Sequence, residues 1–156
     1  MQPLQSESSE RTNRVLAPVK RVSDVEAVLA YARLRAPRAG IDTLHLAFLH
    51  VEPSARALAG PACPGYAEEL LGYAERRCRA GALAHESHIR AGELVFSILD
   101  AAELLACEAI VMPSVKQRRW HHFFPAKIVR QVERLSRAVP LIVIDADGIV
   151  IRNKRL

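Results

Sequence analysis

The stretch Val15-Leu16-Ala17-Pro18-Val19-Lys20-Arg21-Val22-Ser23-Asp24-Val25-Glu26 decides how the chain is read. Its first five residues form an apolar run, with a proline near the end where a missing amide costs no ladder bond. Ser23 and Glu26 stand at capping-box spacing, with the hydroxyl on a first-turn amide and the carboxylate reaching back. Val25, Val28, Leu29 and Ala32 then recur on one helical face, and Pro37 and Gly40 end the helix. A strand that runs into a helix start predicts a βα unit.

The rest of the chain repeats the unit. Leu44 to Val51 is apolar enough for a strand at a sheet centre, and Pro53 to Gly65 reads as a long loop. A helix is expected from Tyr66 to Arg79, then a short polar strand from His85 to Ile89 that suits a sheet edge. Gly92 turns the chain into a helix whose inward residues are Leu94, Val95, Ile98, Ala102 and Leu105. Ala109-Ile110-Val111-Met112 is a buried strand. Pro125 suits the first position of a helix continuing to Arg137, with Ile128, Val129, Val132 and Leu135 inward. Pro140 opens the last core strand, Leu141 to Ile144. Strands alternating with helices predict a doubly wound α/β fold, its parallel strands joined by right-handed crossovers. Its ligand cleft is expected at the carboxyl ends of the strands, where Lys20-Arg21-Val22 and Pro113 to Phe124 leave the sheet. Asp147-Gly148 between Ile144 and Ile149-Val150-Ile151 is a hairpin signal, so an extra antiparallel edge strand is expected. Residues 1–13 read as a disordered leader, 14–145 as the domain, and 146–156 as a hairpin strand with a basic tail.

Composition narrows the function classes. The chain has 156 residues, 50% hydrophobic and 25% charged, which is a globular composition. No apolar run approaches the ~20 residues that cross a bilayer. The polar stretch from Met1 to Arg14 lacks a signal peptide's apolar core, so the expected compartment is the cytoplasm. Cys63, Cys78 and Cys107 form no Cys-x-x-Cys pair and read as reduced packing residues. His45 and His50, and likewise His85 and His88, are an odd distance apart and face opposite sides of a strand, so no zinc site is expected. The net charge of +5 has one source. Between 116 and 137, Lys116, Arg118, Arg119, Lys127, Arg130, Arg134 and Arg137 face Glu133 alone.

The chain resembles the universal stress protein family. Arg14-Val15-Leu16-Ala17-Pro18-Val19 is similar to its first strand, an apolar run ending in Pro-Val-Asp. Leu46-Ala47-Phe48-Leu49-His50-Val51 is similar to its second, which ends in His-Val. Ala91-Gly92 through Ala109-Ile110-Val111-Met112 resembles the glycine, helix and strand ahead of the family's nucleotide loop. The resemblance spans about 14–145. It implies a five-stranded parallel sheet of order 3-2-1-4-5, a homodimer through the last strand, and a non-catalytic binding or regulatory module of the stress response. It also implies a cleft lined by Pro18, Val19, Lys20, Val51, Met112, Pro113, Ser114, Lys116, Ala126, Lys127 and Ile128.

Nucleotide-binding members of that family carry Gly-x-x-Gly, nine residues, then Gly-Ser or Gly-Thr, since glycines let the backbone approach phosphates. Here those positions hold Pro113, Lys116, Ala126 and Lys127, and Lys20 replaces the acid that ends the first strand. ATP held through the glycine motif is therefore not expected, and no cofactor or metal is assigned. Two alternatives stand beside this reading. One is a binder of ATP, AMP or another phosphorylated ligand, with Lys20, Lys116 and Lys127 supplying charge. The other is a nucleic-acid or anionic-surface binder using Arg118, Arg119, Trp120, His121, His122, Phe123 and Phe124, where bases interleave with aromatics. No Gly-x-Ser-x-Gly, P-loop or Gly-x-Gly-x-x-Gly is present, and no enzymatic activity is expected.

Overall fold

A computed structural model describes residues 13–35, 44–53, 65–114 and 124–154. The strands are β1 (Asn13–Pro18), β2 (Leu44–Glu52), β3 (Ala84–Ala91), β4 (Ala109–Pro113), β5 (Leu141–Ile144) and β6 (Val150–Lys154). The helices are α1 (Val22–Leu34), α2 (Tyr66–Ala80), α3 (Leu94–Leu104) and α4 (Ala126–Leu135). One sheet runs β3-β2-β1-β4-β5-β6, parallel throughout except for the antiparallel β5–β6 pair. The predicted order and the extra edge strand are both present. Of the expected leader, only Asn13 lies within the described residues, where it opens β1.

Strand alternation divides the core. Val15, Ala17, Val19, Leu46, Phe48, Val111, Ile142 and Ile144 face α1 and α2. Leu16, Ala47, Leu49, Ile110, Met112, Leu141 and Val143 face α3 and α4. A strand covered on both sides needs apolar residues at every position, and the buried centres of β1, β2, β4 and β5 read that way. Polar, half-exposed β3 forms one edge.

Three local expectations are corrected. α1 starts at Val22, ahead of the Ser23–Glu26 box. Its entry is held by Asp24, whose Oδ2 accepts the Lys20 and Arg21 amides at 2.7 and 3.1 Å. Glu26 instead pairs with Arg77 of α2, its oxygens 3.0 and 3.1 Å from Nε and Nη2, and accepts the Tyr73 hydroxyl. In α4, Pro125 is the N-cap rather than the first helical residue, and the helix stops at Leu135, which is 41% exposed. The bond from the Ser136 amide to Val132 O closes that end.

The β5–β6 turn is built by Asp145, whose Oδ1 accepts the Asp147 and Ile149 amides at 2.9 and 3.0 Å. Gly148 has φ +78° and sits against α1, where a Cβ would lie 2.2 Å from the Tyr31 amide nitrogen. Among the described residues no helix is long and apolar enough to cross a membrane.

Candidate functional site

In the order β3-β2-β1-β4-β5, connections turn one way from β1 and the other way from β4. The crevice at their carboxyl ends is where such sheets bind ligands. Pro18, Val19, Met112 and Pro113 are buried and form its floor, and Val51 is half-buried beside it. Lys20, Ala126 and Lys127 are exposed, while Ser114 and Ile128 are half-buried. Lys116 lies outside the described residues.

Three of these positions meet at one point. Ser114, just past β4, bridges to Phe124, and the Lys20 amino group stands 5.8 Å from the Phe124 ring centroid. That is within cation–π range. Phe124 is 2% exposed and packs in the core layer of Leu16, Leu49 and Met112. Its ring is therefore not offered to a nucleobase, which corrects its inclusion in the basic-aromatic binding loop. The other members of that loop, Arg118, Arg119, Trp120, His121, His122 and Phe123, lie outside the described residues.

The backbone that carries Lys20 is held from three elements. The Val19 amide donates to Leu49 O at 2.8 Å, continuing the β1–β2 ladder. His50, at the end of β2, donates from Nδ1 to Val19 O at 2.9 Å. A carbonyl only accepts, so this bond places the proton on Nδ1. Tyr66, the first residue of α2, donates its hydroxyl to Lys20 O and meets the His50 ring edge-on, centroids 5.7 Å apart. From α1, Asp24 takes the Lys20 and Arg21 amides.

Asp24 is 0% exposed and its Oδ1 has no hydrogen-bond partner. Burial pushes its carboxyl up to about 6, against the two amide bonds and the charges of Lys20 and Arg21, which act downward. A buried acid beneath two basic residues thus anchors the turn. The arrangement presents one ammonium group on a fixed backbone at the mouth of the crevice. Chemically, it can hold an anion.

A second polar group was invisible to reasoning along single strands. Glu86 of β3 lies 2.6 Å from Arg14 Nε, 3.2 Å from His45 Nε2 and 2.9 Å from His88 Nε2. Arg14 also donates from Nη1 to Leu105 O at 2.8 Å. Burial acts upward on the Glu86 carboxyl, but the His88 bond and the charges of Arg14, His88 and His45 outweigh it and hold it below the usual range. His45 stands opposite Ala84, so the register sets His45, Glu86 and His88 on one face of the sheet, with Glu86 between the two rings. Cys78 and Cys107 are free and buried, and burial pushes each thiol up to about 11. Neither is a ready nucleophile.

No family profile and no curated protein matches the sequence. Solved structures do. A universal stress protein from Archaeoglobus fulgidus superposes with a TM-score of 0.60 at 23% identity, over 85% of this chain and 98% of that one. The universal stress protein from Archaeoglobus fulgidus in complex with dAMP gives 0.58 at 22%, over 85% and 97%. A universal stress protein family protein from Arabidopsis thaliana, with AMP bound, gives 0.60 at 15%, over 85% and 90%. The fold of this chain is that of the universal stress proteins.

Proposed function

We propose that this chain, with the fold of the universal stress proteins, is a non-catalytic binding module. It would regulate a cytoplasmic stress response by taking a phosphorylated small ligand of the nucleotide class. The observation that carries this reading is the fixed presentation of Lys20. Asp24, His50 and Tyr66 come from three different elements, and all three bind the backbone of residues 19–21. Such anchoring is more than an ordinary surface lysine needs, and it aims charge at the crevice beside Ser114. Two structural neighbours hold AMP and dAMP, which supports the ligand class. Pro113 and Ala126 replace the family's glycines, so charge takes over from close backbone approach. Lys127, exposed in the first turn of α4, adds a second cation where a helix N-terminus already favours an anion.

Thermal shift and calorimetry with AMP, dAMP and ATP test the reading. A raised melting temperature that disappears in Lys20→Ala supports it. If no nucleotide raises the melting temperature at millimolar concentration, the reading fails. The last strand carries the oligomeric part of the proposal. Because β6 covers the edge of β5, a second copy would pair along the outer edge of β6, beside the exposed Ile149, Val150 and Ile151. A monomer in light scattering at tens of micromolar would overturn the dimer.

A further inference from the structure

A cleft of about 440 Å³ opens between α4 and the β5–β6 hairpin, on the far side of β4 from Lys20. Its size is within the range of small-ligand sites. The buried Val129 and Val143 lie at its floor, Ser114 and Ala126 at the end nearest the Lys20 crevice, and Ile151, Arg152 and Arg130 form the walls.

The walls depend on an irregularity in β6. Val143 pairs with Arg152, and Ile144 pairs with Val150, so Ile151 is an extra residue in the ladder. Successive residues of a regular strand face opposite sides, whereas a bulge re-aims one of them. Here Ile151 and Arg152 both line the same cleft. Arg152 stands opposite Val143, which belongs to the α4 layer, and its Nη2 reaches Glu133 of α4 at 2.6 Å. Arg130 is exposed and has no carboxylate partner among the described residues. With Glu133 engaged by Arg152, a positive charge remains at a cleft whose exposed apolar side chain is Ile151.

From this geometry we propose that the α4–β6 cleft binds a small carboxylic acid with an apolar body, the carboxylate on Arg130 and Arg152 and the body over Val129, Val143 and Ile151. The guanidinium fork matches a carboxylate in two-point contact. The floor rewards an aliphatic or aromatic tail, at about 0.8 kcal/mol per buried methylene in general transfer terms. Ser114 and Ala126 also line the Lys20 crevice, so the two sites adjoin, but the proposal uses neither Lys20 nor Lys127 and does not need the nucleotide reading to hold.

Octanoate, octanol and acetate are the probes, titrated by calorimetry and by amide chemical-shift mapping on the full chain. Octanoate is expected to bind and to shift Val143 and Ile151, which lie away from the Lys20 crevice. Octanol, which lacks the charge, and acetate, which lacks the body, should each bind at least tenfold more weakly. Arg130→Ala, at an exposed position with no ion pair among the described residues, should fold normally and weaken octanoate at least tenfold. Ile151→Asp should weaken it without altering any nucleotide response, and Lys20→Ala should leave it unchanged. The proposal is overturned if octanoate fails to bind at millimolar concentration or binds Arg130→Ala equally well. It is also overturned if acetate matches octanoate or the shifts map to Lys20 and Phe124.

Discussion

Replacing Asp24 with Asn tests the buried anchor of the Lys20 turn. Burial pushes the folded carboxyl up to about 6, against 3.8 for the free group. Between those values the folded protein binds the proton and the unfolded chain does not. Stability therefore falls as pH rises from about 4 to about 6, in the direction expected for a raised acid. At 1.36 kcal/mol per unit, a shift of about two units makes the charged state cost about 3 kcal/mol at neutral pH relative to pH below 4. Asn keeps an oxygen for the Lys20 and Arg21 amides, now at 2.7 and 3.1 Å, and removes the charge. The amide group replacing the unpartnered Oδ1 lowers stability equally at all pH values and cancels from the comparison. Urea unfolding of both proteins at pH 4, 5, 6 and 7.5 measures the difference. The variant should gain about 2.5 kcal/mol on the wild type between pH 4 and 7.5, with most of the change below pH 6. A difference that stays constant across that range would refute the burial argument.

Three further outcomes follow from the same contacts. Gly148→Ala combines a left-handed backbone, about 1–2 kcal/mol for a non-glycine residue, with a Cβ lodged on the α1 backbone. Its urea midpoint should drop by more than the backbone cost alone, and an unchanged midpoint would remove Gly148 from the packing account. Lys20→Ala should abolish the nucleotide-induced thermal shift while leaving unliganded stability within about 0.5 kcal/mol, because the side chain is exposed. Glu86 contributes stability above the ordinary carboxyl range that is lost as pH falls through its lowered folded value. Glu86→Gln should therefore flatten the acid limb of the stability profile, and an unaltered limb would exclude the cluster as its source.

The fold was legible because it is written in local patterns. Apolar runs such as Leu46–Leu49 and Ile110–Met112 alternate with helices, and Asp147-Gly148 announces the hairpin. The helix start was misread for a definable reason. Two capping patterns overlap, Ser23 with Glu26 and Arg21 with Asp24, and only tertiary structure decides between them. Arg77 and Tyr73, far along the chain, take Glu26, which leaves Asp24 to hold the entry. The expected crevice follows from the strand order and from the lysine at its mouth, both of which are local signals. Its supports were not legible, because His50 and Tyr66 act on backbone atoms of a distant strand. The Glu86 cluster was missed because parity was applied within strands, whereas Glu86 gathers His88 from its own strand and His45 from the next. Phe124 follows a run of bases, yet it packs in the core, because its apolar ring is worth more against Leu16 and Met112 than in water.

The seat of Gly148 on α1 also ties together parts of the chain made far apart in time. As a nascent polypeptide leaves the ribosome, α1 emerges long before β5 and β6. Ile142 and Ile144 complete its packing layer, and the hairpin tip closes on the backbone at Ala30 and Tyr31. Until that hairpin is synthesised, the first helix has an incomplete apolar face and no cap over its final turns. Such non-local closure slows folding and lengthens the exposure of sticky intermediates. Premature termination anywhere before residue 148 would therefore release a chain whose first-formed layer is left open.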